Sequence, residues 1–188
     1  MIKYLEKTKE YAQITGYKNL EIKDSKEFIK EIRGKIPQGV WVQFFDSSVV
    51  ASWEHLLFAI INAQLGFRNQ KNISKSIEME TLLYASAQHQ IKKAIKNIGV
   101  KNDSTEVALI IVAKEIEKIN SVLSAISKKI GRKSDEKVLE FSDYKQEKIR
   151  IVFEINQNEL EAVIKEDNIK NAIRDIVLEK MALLSTKC

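Results

Sequence analysis

The feature that most constrains the fold is EVALIIVA, an almost continuously apolar and largely β-branched stretch at residues 106–113. Such a run predicts a central strand that is covered on both faces. Apolar side chains at helical spacing follow it, and Gly131 is expected to end that helix. The repeat consists of Ile116, Ile119, Leu123, Ile126 and Ile130.

Further strands are predicted on both sides of this unit in the sequence. Residues 11–22 and 40–51 alternate between apolar and polar side chains, which is typical of half-buried strands. KVLEF at residues 137–141 predicts a short strand, so that a β-α-β unit results. A helix over residues 24–36 is expected to begin with Ser25 as its N-cap.

The middle of the chain predicts two helices. Ser52 is the expected cap of the first, which has one face of small and polar residues that another chain is expected to approach closely. The second is expected to run unbroken from residue 72 or 74 to Ile98, where Gly99 ends it. The small and polar face consists of His55, Ala59, Asn62, Gly66 and Asn69.

The last third of the chain is predicted to be helical. Ser142 is expected to cap a helix over residues 143–154, and Asn156 or Asn158 to cap a short one. A long helix over residues 168–186 follows.

Composition limits the class of protein. A hydrophobic fraction of 44% with 30% charged residues is typical of a folded globular chain, and 188 residues favour one domain. The single cysteine, Cys188, allows neither an internal disulfide nor a cysteine zinc cluster. Residues 1–10 lack the apolar core of a signal peptide, and no run approaches the roughly 20 apolar residues of a membrane helix. We therefore expect a cytoplasmic protein, or a nuclear one if the source is eukaryotic.

Positive charge is concentrated in one segment. The formal net charge is +5, and residues 66–100 supply nearly all of the excess. A local basic patch favours an anionic partner, although a solvated lysine-rich face explains it equally well. The charges of this segment are Arg68, Lys71, Lys75, Lys92, Lys93 and Lys96, against Glu78 and Glu80.

Catalytic motifs are not found in the sequence. It has no phosphate-binding glycine loop and no nucleophile elbow. Neither His55 nor His89 has a carboxylate or cysteine at metal-ligand spacing. We expect no enzyme activity, no cofactor, no metal and no small-molecule substrate.

Several runs between residues 55 and 91 carry a family resemblance. HLLFA from His55, SIEME from Ser76 and LLYASAQHQI from Leu82 resemble the kinase-binding subunits of the KEOPS complex, the PRPK-binding protein family. The resemblance covers roughly residues 44–184, including the last helix. It implies an accessory role in making threonylcarbamoyladenosine beside the tRNA anticodon. The implied partners are the small atypical kinase/ATPase of the complex and, as in archaeal members, the tRNA 3′ CCA end.

The resemblance also implies helices around a sheet that contains antiparallel strands. The expected fold class is therefore α+β: one domain over residues 1–188, with a small mixed sheet packed against several helices and a helical C-terminal third. A generic RNA- or protein-binding adaptor outside the complex is the alternative function.

Two positions depart from the family pattern, which often has Gly-Gln-Arg-Gln-Ile where this chain has Ala87-Gln-His-Gln-Ile91. Alanine at a helical position is expected to be mildly stabilising. His89 replaces a permanent charge by a group that titrates near neutral pH, which places direct phosphate pairing there in doubt.

The resemblance and the charge pattern together select candidate tRNA contacts. Basic side chains near a helix start can bind phosphates, and amides can hydrogen-bond exposed base edges. The alternative for Gln88 and Gln90 is a cap or a surface amide. Glu80 is expected to pair with a lysine or a backbone N–H, and His55 is either a near-core histidine or an RNA contact. The candidates are Arg68, Lys71, Asn72, Lys75, Gln88, His89, Gln90, Lys92 and Lys93.

The last helix has more apolar residues than one buried stripe needs. The surplus predicts a partner surface, although core packing accounts for the same residues. The candidate kinase contacts are Ile173, Val177 and Leu184.

Overall fold

The computed structural model describes residues 1–164 and 168–186, so Cys188 lies outside the described residues. The strands of this part are β1 (Ile2–Leu5), β2 (Glu10–Tyr17), β3 (Val40–Asp46) and β4 (Val107–Ala113). Its α-helices are α1 (Ser25–Arg33), α2 (Trp53–Arg68), α3 (Ile77–Ala85), α4 (Ile91–Ile98), α5 (Ile116–Ile130), α6 (Asp143–Val152), α7 (Gln157–Val163) and α8 (Ile169–Thr186).

The four strands form one sheet in the order β1-β2-β4-β3, and every pairing is antiparallel. All seven residues of β4 are buried, which confirms the predicted central strand. Ile110 pairs with Ile14 of β2 and with Gln43 of β3. The α+β class with a helical C-terminal third is confirmed.

The predicted strand at residues 137–141 is wrong. Glu136–Leu139 forms a 3-10 helix, in which the Lys137 N–H donates to the Asp135 carboxylate at 2.9 Å. The Val138 carbonyl accepts from the Ser47 hydroxyl. The expected β-α-β unit is therefore absent, and the strand that the sequence did not predict is β1 at the sheet edge.

One compact unit consists of Met1–Ser47 and Val100–Val138. It contains the sheet, and α1 and α5 pack into a shared core with one face of it. Asp24, rather than the predicted Ser25, caps α1: its carboxylate accepts from the N–H groups of Lys26 and Glu27, and these bonds lower its pKa. Gly131, with φ of 71°, ends α5 as predicted.

The second compact unit consists of Ser48–Gly99 and Leu139–Cys188, and it is helical in its described part. Helix α8 contacts α2, α3, α6 and α7. Asn156 forms a capping box with Glu159 at the start of α7. That residues 1–188 form one domain stays a prediction.

Candidate nucleic-acid and partner-binding site

The segment that connects α2 and α3, here called the basic turn (residues 68–76), has exposed cationic side chains. Arg68, Lys71 and Lys75 are all exposed. Asn72 is half-buried, and its amide donates to the Ser74 carbonyl at 2.8 Å. Its side-chain N–H group is therefore engaged in shaping the turn.

Glu80 is fully buried beneath this turn. Its carboxylate accepts from the backbone N–H of Ile73 at 3.0 and 3.1 Å and from that of Ser74 at 2.7 Å. Of the two predicted partners for Glu80, a lysine or a backbone N–H, the backbone N–H is confirmed.

His55 is buried, and both of its ring nitrogens form hydrogen bonds with the backbone. Nδ1 accepts from the Ala51 N–H at 3.2 Å, and Nε2 lies 2.7 Å from the Ala85 carbonyl, to which it donates. Phe153 packs edge-on at 5.6 Å between ring centroids. Burial lowers the pKa of His55 to about 4. The core interpretation is confirmed, and contact with RNA is excluded at this position because the side chain is inaccessible.

The predicted unbroken helix over residues 72 or 74 to 98 is wrong, because the chain leaves the helix at Ser86 and begins α4 at Ile91. The N–H groups of Ala87 and Gln88 donate to the carbonyls of Tyr84 and Leu83, at 2.9 and 3.1 Å. This pair of bonds is a Schellman motif, which places Ala87 in the left-handed region with φ of 50°.

The expectation that alanine is mildly stabilising at position 87 fails for the same reason, because Ala87 is not helical. A side chain costs about 1–2 kcal/mol in the left-handed region, whereas glycine adopts it freely. We therefore expect Ala87→Gly to raise the free energy of unfolding by about 1 kcal/mol after the larger chain entropy of glycine is deducted. Urea denaturation measures the change.

The matched control is Ala85→Gly, two residues earlier and still inside α3. There the same replacement weakens a helix and should cost about 1 kcal/mol. If both substitutions changed the free energy of unfolding in the same direction, Ala87 would not be left-handed in solution.

The helix break forms one wall of a groove of about 310 Å³. The end of α6 and the last turns of α8 form the rest. Two residues in the left-handed conformation, Ala87 and Glu154, line this same groove. The lining residues are Ser86, Ala87, Gln88, His89, Val152, Phe153, Glu154, Lys180, Leu183 and Leu184.

The structure divides the candidate tRNA contacts between the two ends of α3, a helix about 13 Å long. The basic turn precedes α3. Gln88, half-buried, and His89, exposed, follow it and line the groove. Gln90 is exposed and is the N-cap residue of α4, although its side chain makes no capping bond, so the alternative of a cap or surface amide fits it. Lys92 and Lys93 are exposed on α4.

The candidate kinase contacts on α8 are buried. Ile173 and Val177 have no exposed surface, and Leu184 is 4% exposed at the groove wall. Ile173 and Val177 therefore belong to the core of the helical unit, and a charge at either position would unfold it. The large apolar residue that α8 does expose is Leu183.

The small face of α2 is also covered from within the chain. A methyl group at Gly66 would lie 3.6 Å from a Glu80 carboxylate oxygen and 3.8 Å from the Tyr84 hydroxyl. The expectation that another chain approaches this face is therefore wrong at Gly66, which α3 of the same chain covers, whereas Asn69 at the end of the face is exposed.

Sequence reasoning missed Glu154 and Lys180 as groove residues. Both lie far along the chain from Gln88: Glu154 follows α6, and Lys180 lies on α8, where it is bonded to Glu159 at 2.8 Å. No short-range pattern predicts that α6 and α8 meet the end of α3.

Residues 1–164 and 168–186 contain neither a cluster of metal-ligating side chains nor a membrane-spanning helix. This part of the chain brings together no group of three metal-ligating side chains. None of its helices has the length and apolar character needed to cross a membrane.

Most of the chain is similar to known proteins. Residues 17–185 match the sequence model of a family described as kinase binding protein CGI-121. The chain is also 35% identical over 149 residues to a protein named Regulatory protein Cgi121 from Methanocaldococcus jannaschii. That alignment covers 79% of this chain and 86% of the relative.

Proposed function

The chain belongs to the CGI-121 family of kinase-binding proteins, and from this premise we propose that it is a non-catalytic subunit of a KEOPS complex. In this role it binds the small atypical kinase/ATPase of the complex and the 3′ CCA end of tRNA. The complex makes threonylcarbamoyladenosine in tRNA, with the catalytic step on another subunit.

The observation that carries the tRNA proposal is the groove at the α3–α4 break. Its volume of about 310 Å³ lies at the lower end of the range for small-ligand sites, roughly 300–1,000 Å³. Gln88 offers an amide to a base edge, while Val152 and Leu183 supply apolar wall. A few unpaired nucleotides match such a site better than a duplex does.

The exposed cations supply the remaining part of the proposed tRNA surface. Arg68, Lys71 and Lys75 lie before α3, and Lys92 and Lys93 lie on α4 beyond the break. Exposed cations at the start of α3 and on α4 suit the phosphates of a strand whose end enters the groove. His89 lines the groove but supplies no permanent charge, so the phosphate contacts are assigned to Arg68 and the lysines.

We expect intact tRNA to bind more tightly than tRNA without its CCA end. Gln88→Ala should remove most of this difference with little change in salt dependence, because an amide releases no counterions. Lys71→Ala should weaken both tRNAs and reduce the slope of log affinity against log salt by about 0.7. Fluorescence anisotropy at several salt concentrations measures both effects.

Two substitutions in the sheet-containing unit are matched controls: Gln38→Ala and Lys133→Ala, both at exposed positions. Each should leave affinity and slope unchanged. Equal affinity for the intact and the shortened tRNA would refute the CCA proposal, and salt-independent binding would refute the phosphate contacts.

The kinase proposal rests on family membership and on exposed apolar side chains of the helical unit, among which are Leu183 on α8 and Tyr144 and Ile151 on α6. Affinity purification of the tagged chain from its own source should recover a small kinase in stoichiometric amount. tRNA binding without any kinase in the purified material would instead favour the generic RNA-binding adaptor.

A further inference from the structure

The turn between α2 and α3 is anchored from inside by a single buried carboxylate. Glu80 has no exposed surface, yet its oxygens accept from the N–H groups of Ile73 and Ser74 at 2.7–3.1 Å. A buried charge is tolerated only when hydrogen bonds replace its water. Here the turn backbone supplies those bonds, so the conformation of the turn and the burial of Glu80 depend on each other.

Further hydrogen bonds fix the turn on either side of these two residues. The Lys71 N–H donates to the Gly66 carbonyl at 2.8 Å as α2 ends. The Ser74 hydroxyl donates to the Ser76 carbonyl at 2.8 Å, and the Ser76 side chain caps α3. With the backbone of the turn fixed in this way, Arg68, Lys71 and Lys75 stay on its exposed side.

The charge of Glu80 and its hydrogen bonds predict opposite effects on the binding of an anionic partner. Its negative charge lies beneath a cationic surface, so by electrostatics alone its removal should strengthen polyanion binding. Its hydrogen bonds hold that surface in one conformation, so their loss adds an ordering cost to binding. The bonds are short and the site is buried, which favours the second effect.

We propose that Glu80 is a positioning residue that preforms the basic turn, residues 68–76, for an RNA backbone. It touches no ligand itself. The proposal deepens the function argued above, since tRNA as the occupant rests on that function.

The test compares two neutralising substitutions on the same turn of α3. Glu80→Gln and Glu78→Gln remove equal charge two residues apart, and both residues belong to the first turn. Glu80→Gln should weaken tRNA binding about fivefold, a loss of roughly 1 kcal/mol. Glu78→Gln should leave it unchanged or strengthen it slightly.

Hydrogen exchange supplies a readout that needs no ligand. In the folded Glu80→Gln protein the amides of Ile73 and Ser74 should exchange about tenfold faster, while those of the β4 strand keep their protection. Trypsin should also cleave faster after Lys71 and Lys75. Glu80→Asp keeps the charge but shortens the reach, so it should shift exchange and affinity in the same direction and serves if the glutamine variant does not fold.

The outcomes separate the two proposals. If Glu80→Gln binds tRNA as Glu78→Gln does and exchange at Ile73 and Ser74 is unchanged, Glu80 is an ordinary buried residue and the inference is overturned. If the wild type binds no tRNA but exchange rises as stated, the proposed function fails, while the control of the turn by Glu80 is supported.

Discussion

Gly16→Ala is expected to lower the free energy of unfolding by about 3 kcal/mol. Gly16 lies in β2 opposite Ala108 of β4. A methyl group there would overlap the Val107 carbonyl and the Val138 side chain. The carbonyl belongs to the central strand, which is bonded on both sides, so the backbone has little room to shift.

Urea denaturation of the sheet-containing chain measures this loss, and Gly34→Ala is the matched control. Gly34 ends α1 in the ordinary helical region, with φ of −63°, and a methyl group there would lie 3.3 Å from the Lys30 carbonyl. We expect that replacement to change stability by less than about 1 kcal/mol. A Gly16→Ala protein as stable as the wild type would mean that neither the Val107 carbonyl nor Val138 lies against Gly16 in solution.

Lowering the pH from 7 to 5 is expected to remove about 2 kcal/mol of stability through His55 alone. The pKa of His55 falls from 6.5 to about 4 in the folded protein, because burial disfavours the imidazolium. The unfolded chain therefore binds a proton between these values that the folded chain does not. The stabilisation is complete above about pH 6.5 and is lost as the pH falls towards 4.

Denaturation curves at pH 7, 6 and 5 test this dependence. The carboxylates with lowered pKa, which titrate in the unfolded state below this window, contribute little to it; they are Asp24, Glu31, Asp135 and Glu159. His55→Gln should abolish most of the slope, whereas His89→Ala, at an exposed position, should retain it. A wild-type stability that is flat from pH 7 to 5 would contradict the buried, neutral histidine.

Local signals predicted the elements whose causes lie within a few residues. The β-branched run at residues 106–113 was predicted as the central strand because burial on both faces removes alternation, and the strand covers Val107–Ala113. Ser52 was predicted as a cap, Asn156 as one of two possible caps and Gly131 as a helix end, because capping depends on the residues that form it. The family resemblance supplied the proposed function, which these patterns alone do not contain.

The break between α3 and α4 was missed because its signal is absent. Tyr84, Ala87, Ile91 and Ile98 keep helical spacing straight through it, and no glycine marks the left-handed position. Tertiary structure decides such a break, since the contacts of the surrounding helices offset the strain at Ala87. The groove depends on this break and was therefore also missed.

The sequence by itself determined the central strand and most of the helices, where the positive charge collects and to which family the chain belongs. Tertiary structure alone decided which of the candidate residues are accessible. His55, Ile173 and Val177 were possible contacts on sequence grounds, yet all three are buried. The physical reason is that periodicity records the apolar face of each helix, whereas accessibility depends on which helix covers the others, and that depends on contacts between residues far apart in the chain.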